Sequence, residues 1–273
     1  MFARIAVVTS LSLASFSPAF ASGLETTTDT PNVIAPLPIA KSPQLVFTLR
    51  GGASYEPGYF GSDDYEVGPD FGFKFNSLTF RNGRSFGNPD PWGEQLGFGI
   101  GGSFRFIEER NADDFDELAG LEDVDAAIEL GLSARYGTEN FLAFGELRRG
   151  FGGHEGWVGE IGADAIVKPT DRLRLSVGPR LLFGDDIYAD TYFGVTDAEA
   201  SAALPAYDPD GGMISAGVEF GARYQINDVW GLEGAVTWDK FTDDAADSPI
   251  VEQGSDKQWG IRFGVTRVFS IGG

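Results

Sequence analysis

The sequence predicts an all-β protein: a transmembrane, antiparallel, up-and-down β-barrel of about twelve strands, with ten the other even count open to it. Three observations carry this. Long runs alternate between apolar and polar residues. The N-terminus reads as an export signal. No later stretch approaches the roughly 18 uncharged apolar residues that a membrane helix needs.

The clearest alternation puts Leu173, Leu175, Val177, Pro179, Leu181 and Phe183 on one face, with Arg174, Ser176, Gly178, Arg180 and Leu182 between them and Arg172 just before. Such a run suits a tilted strand that crosses a bilayer, greasy outside and polar inside.

Taken from the start, Arg4 precedes an apolar stretch at residues 5–20, and Ala19-Phe20-Ala21 forms a small-x-small cleavage site. Residues 1–21 are therefore expected to be a signal peptide. Residues 22–43, with Thr26, Thr27, Thr28 and several prolines, read as a flexible periplasmic lead-in. Residues 44–273 are assigned to the barrel.

Strands follow by parity. Leu45, Phe47, Leu49, Ala53 and Tyr55 oppose Thr48, Arg50 and Ser54; Leu96, Phe98, Ile100, Phe104 and Phe106 oppose Ser103 and Arg105. Val124, Ile128, Leu130, Leu132 and Tyr136 oppose Asp125, Glu129, Ser133 and Arg135. Further runs lie at residues 157–168, 214–225, 230–239 and 259–269, with weaker ones at 71–75, 78–85 and 141–148. The list comes to about eleven, and the even-number rule moves it to twelve or ten. Pro179 has no N–H for the ladder, so a local bulge is expected there.

Turn lengths assign sides. Gly137-Thr138-Glu139-Asn140, Pro169-Thr170-Asp171 and Asn227-Asp228 are tight and are placed in the periplasm. The longer, acid-rich connections at residues 108–123, 184–211 and 242–256 are placed outside. Trp157, Trp230, Trp238, Trp259 and Phe269, near strand ends, are the expected membrane girdle, so outer-membrane lipid is the expected solvent of the outer face.

Composition narrows the function. A formal charge of −21 repels nucleic-acid phosphates. With no cysteine, neither disulfides nor thiol chemistry are available. The 38 glycines, 23 Phe and 8 Tyr suit tight strand packing and aromatic girdles.

Parity points Arg105, Glu129, Arg135, Glu160, Asp164, Arg172, Arg174, Arg180, Glu219, Arg223, Glu233 and Arg262 into the lumen. So many charges would be prohibitive in a dry core. They read either as the lining of a pore or as ion pairs that close it. Gly97-x-Gly99-x-x-Gly102 matches a dinucleotide fingerprint in letters only, because another period-two run follows where a helix is required. His154, the single histidine, sits in Gly152-Gly153-His154-Glu155-Gly156, where a solvated loop histidine is expected and a general base is the sharper alternative. No catalytic residue, metal ligand or cofactor is assigned, and an enzyme is not expected.

Several loops also read as text. The run from Gly51 through Tyr55, Pro57, Gly61, Ser62 and Asp63 to Tyr65 resembles the opening signature of the MipA/OmpV outer-membrane family (MltA-interacting protein-like). Residues 118–124 with Glu129-Leu130-Gly131 resemble its central motif. Tyr192-Phe193-Gly194-Val195-Thr196 with residues 201–207 is similar to its most distinctive loop, and residues 244–251, with Ser248 and Pro249, to its final one. The resemblance implies an outer-membrane barrel acting as a scaffold in murein synthesis, with a lytic transglycosylase and a murein synthase as partners. Relatives are also linked to transport or adhesion, and the family offers no catalytic residues to carry over. The alternatives kept open are a narrow porin-like channel for small solutes and, third, an outer-membrane hydrolase using His154.

Overall fold

The computed structural model describes residues 44–88, 90–94 and 96–272, with the backbone alone at residues 10–13. The expected leader and lead-in otherwise lie outside the described residues.

Ten strands of 11–15 residues make the wall: β2 (Gln44–Pro57), β3 (Tyr65–Thr79), β5 (Gly97–Ile107), β6 (Ala127–Gly137), β7 (Phe141–Gly152), β8 (Trp157–Thr170), β9 (Leu173–Gly184), β10 (Gly212–Gln225), β11 (Trp230–Phe241) and β12 (Lys257–Ile271). Two short ones, β1 (Ser10–Leu13) and β4 (Ser85–Gly87), complete the sheet. The long-strand count is thus ten rather than twelve. The separate strands expected at 71–75 and 78–85 are one strand, β3, and the start of the hairpin that leads to β4.

Neighbours from β5 to β12 pair antiparallel in chain order, and β12 returns to pair with β2, from Ile271↔Leu45 to Ile261↔Tyr55. The last two edges, β3 and β5, are both paired to β1, antiparallel at Ser12↔Ser103 and parallel at Ser12↔Lys74. β1 covers these two edges only in part, pairing four residues of β5 and one of β3.

Alternation sets the faces as expected. Leu132, at 67% exposure, and Leu130, Phe220, Phe263 and Val265 point outward, while Glu129, Ser133 and Arg148 are buried inside. Among the described residues no helix is long and apolar enough to cross a membrane.

Two local expectations are corrected. The run begun at Val124 starts as a strand only at Ala127, because Val124 is buried and bridges Arg110 in the loops. Pro179 produces no bulge: its register with β10 continues at Val218↔Pro179, and the ladder to β8 skips between Gly162↔Arg180 and Ala165↔Val177 without shifting. The missing N–H is lost as a rung, not absorbed by an extra residue. The shifts fall instead at Val46/Phe47, Val167/Thr170 and Met213/Ser215.

Candidate functional site, a lumen obstructed at both ends

The long connections do not splay outward. They fold over one mouth of the barrel as a cap carrying three helices, α1 (Asp186–Phe193), α2 (Asp243–Ala246) and α3 (Pro249–Glu252), and two 3-10 turns, Ala112–Asp114 and Asp116–Leu118. The Asp185 carboxylate accepts the Tyr188 N–H and so caps α1. Ser248 does the same for α3, with Pro249 in its first turn.

Segments far apart in sequence meet here. Tyr59, Ala112, Leu118, Leu121, Val195, Leu204 and Ile250 form one buried apolar cluster. Tyr188, Tyr192, Phe193, Phe241 and Val251 belong to a second, against the barrel mouth. The Ser248 hydroxyl donates to the Phe193 carbonyl at 2.6 Å, joining the third and fourth recognisable loops. Gly61 packs on Val251 with φ at +103°, a conformation that suits glycine. Ser62 is fully buried, and Gln258 donates to its carbonyl at 3.0 Å.

The remaining motif residues frame this cap. Val195 bridges Tyr207, and the Gly194 N–H returns to Asp190. Pro57 ends β2, Asp63 is exposed, and Tyr55 stacks on Tyr65 at the rim.

Beneath the cap lies a dense ion-pair network. Arg148, 2% exposed, reaches Glu129 at 2.8 Å, Glu146 at 2.6 Å and Glu160 at 3.1 Å. Ser103 donates to Glu146 and accepts from Arg148. Arg135 adds a second cation on Glu146 at 3.1 Å. Further round the wall Arg180 pairs with Asp164 at 2.8 Å and Glu219 at 3.2 Å, and Arg262 with Glu219 at 2.7 Å. Arg50 holds Asp70 at 2.7 Å and lies 3.9 Å from Glu233.

His154 is not solvated, contrary to expectation. It is 3% exposed, its Nε2 lies 3.3 Å from Glu129, and its Nδ1 accepts the Gly156 N–H. Its ring packs edge-on against Tyr188 and Tyr192. A Cβ on Gly150 would stand 2.3 Å from that ring, so glycine makes the pocket. With one ring nitrogen taken by backbone and the other facing a carboxylate, His154 meets no hydroxyl it could activate among the described contacts. Burial pushes the Tyr188 phenol up to about 12 and raises Tyr192 as well, so both stay neutral in the cap.

The connection between β4 and β5 folds against the wall at the other mouth. Trp92 donates to the Asp228 carbonyl at 3.0 Å, and the Trp92 carbonyl accepts from Arg223 at 2.8 Å. Glu94 lies 2.9 Å from Arg174, 3.5 Å from Lys168 and 3.7 Å from Arg223. Arg174 and Arg223 thus anchor a plug. Arg172, grouped with them by parity, sits in the exposed turn before β9, which begins only at Leu173.

Sequence reasoning assigned no role to Trp92 or Glu94, and nothing local marks them. Asp70 was legible, since parity along β3 points it inward with Lys74. Between cap and plug remains a cavity of about 580 Å³. Among the described residues no group of three or more His, Asp or Glu is placed to hold a metal ion.

On the outer face, Trp238 and Trp259 pair at 6.4 Å and Trp157 stands under Arg149, all toward the capped end. Trp230 and Phe269 lie toward the other end, with Arg267 stacked 4.9 Å from each ring. These aromatics thus fall into two groups, one toward each end of the wall. The molecule is an outer-membrane β-barrel.

Its relatives agree. The profile of the family described as MltA-interacting protein MipA matches residues 49–269, and the chain belongs to that family. It is 28% identical over 235 residues to the outer membrane protein Omp26La of Vibrio anguillarum, covering 78% of this chain and 85% of that one. Outer membrane protein OmpV of Vibrio cholerae is 29% identical over 231 residues, with the same coverage of 78% and 85%. Among solved structures, an outer membrane channel from Pseudomonas putida F1 covers 89% of this chain and 100% of its own, at 11% identity and a TM-score of 0.39. At that score the likeness carries no functional argument.

Proposed function

We propose that the protein is a structural barrel of the cell envelope that scaffolds murein synthesis, and that it is neither an open pore nor an enzyme. The observation that supports this is the double obstruction of the lumen, by the cap and by the Trp92–Glu94 plug. A through-pore would leave its lumen charges wetted, whereas Arg148, Glu129 and His154 are buried in mutual contact. The family description names an interaction with MltA. A lytic transglycosylase and a murein synthase are the corresponding partners, approaching from the periplasm, where the short turns lie. Export by a cleaved signal peptide at residues 1–21 belongs to the same reading.

Affinity capture from crosslinked envelopes tests it. Recovery of a lytic transglycosylase or a murein synthase with the tagged barrel is expected. Repeated recovery of neither, with lipid and other barrel proteins as controls, overturns the scaffold role.

A further inference from the structure

Most lumen charges are neutralised in pairs, but the cavity between cap and plug keeps some that are not. Glu56 of β2 and Asp239 of β11 face it, and neither has an ion-pair partner within 4.0 Å among the described residues. Arg105 of β5 faces the same space, also without an ion pair among the described residues, while Lys74 of β3, paired with Thr48, faces the far end of the cavity. Arg105 lies over the Phe60 ring at 5.8 Å.

Two cavity-lining oxygens add to this. Glu56 Oε2 and Tyr192 Oη are buried with no hydrogen-bond partner among the described residues, and Tyr192 is 3% exposed. Folded proteins rarely leave buried polar atoms unsatisfied, and each such atom calls for a partner. The walls also include Phe60, Phe144 and Leu182, so the space is amphipathic.

We infer that this cavity is a binding site for a small zwitterion of the amino-acid or short-peptide class, carrying an apolar side chain. Its ammonium group sits toward Glu56 and Asp239, its carboxylate toward Arg105, and its side chain on the aromatic wall. A purely cationic ligand would leave Arg105 unmatched, and a purely anionic one would leave both acids unmatched. Gly58, Glu108 and Glu109 line the cavity at the capped end, between the β2–β3 and β5–β6 connections. This site needs no through-channel, and it stands or falls independently of the scaffold role.

The test is calorimetry on the full chain in detergent micelles, with the dipeptide alanyl-phenylalanine as probe. The expected result is saturable binding that weakens at least about tenfold when the amino end is acetylated or the carboxyl end amidated. Asp239→Asn and Arg105→Gln each weaken the free dipeptide by a similar factor. If either variant fails to refold, Glu56→Gln read by the same titration serves in its place. No saturable heat up to millimolar dipeptide, or equal binding of the capped forms, overturns the site. So does a refolded variant that binds like the parent.

Discussion

Replacing Arg148 by methionine keeps most of the stem and removes the guanidinium from the most heavily buried ion-pair network of the lumen. Three carboxylates, Glu129, Glu146 and Glu160, then face one another with contacts of 2.6–3.1 Å lost. Glu129 is fully buried, so water cannot stand in for the lost charge. Removing one partner of a buried pair costs about 3–5 kcal/mol, and Arg148→Met should fall in that range, since Glu129 and Glu160 lose their only guanidinium while Glu146 keeps Arg135. Glu129→Gln should cost less, about 1–3 kcal/mol, because an amide oxygen can still accept from the Arg148 Nε. Combining the two reads their coupling. The assay is urea unfolding of the barrel in lipid vesicles, followed by tryptophan fluorescence. An Arg148→Met cost under about 1 kcal/mol, the size of an exposed ion pair, would show the lumen to be hydrated and the closed-lumen argument wrong.

Other perturbations test separate joints. Gly150→Ala forces a Cβ to within 2.3 Å of the His154 ring, and should lower the stability of the capped end by about 1–3 kcal/mol, measured in the same unfolding assay. Glu199, in the connection between α1 and β10, is partly desolvated. Even so, bonds from the Thr196 hydroxyl and from the Glu122 and Thr196 backbone N–H groups hold its carboxyl below the usual carboxylate range. A depressed pKa contributes stability above the unfolded value that is lost as pH falls through the folded one. Proteolysis of the cap should therefore accelerate only on acidification below the ordinary carboxylate range, and Glu199→Gln should flatten that onset. Finally, a chain lacking residues 1–21 must join β3 to β5 directly, since open edges are not tolerated in hydrocarbon. With no native cysteine to interfere, Lys74→Cys and Ser103→Cys, or neighbours two positions along, should crosslink in membranes.

The wall was legible because parity is a strong constraint: a one-residue slip would turn Leu130 and Leu132 into the lumen and Glu129 into lipid. The inward direction of Arg105, Glu129, Arg180 and Glu219 followed from the same rule. What alternation could not supply was pairing across the lumen. Arg180 meets Asp164 and Glu219, whereas Glu160 belongs to Arg148. The cap was invisible for a related reason. The loops at 55–63, 118–124, 192–195 and 248–249 have no period, and their common core exists only once the barrel brings them to one mouth. His154 looked like a loop residue because its glycine neighbours read as flexibility, whereas Gly150 and Gly156 are the space its ring occupies and the donor its Nδ1 accepts from.

A barrel of this family without a through-channel should carry no ion current, and single-channel recording of the refolded chain in planar lipid bilayers reads this. The parent chain should give no conductance steps, with steps only after Glu94→Ala combined with Trp92→Ala releases the plug and the cap is trimmed. Stable, repeatable steps from the unaltered protein at both polarities would contradict it.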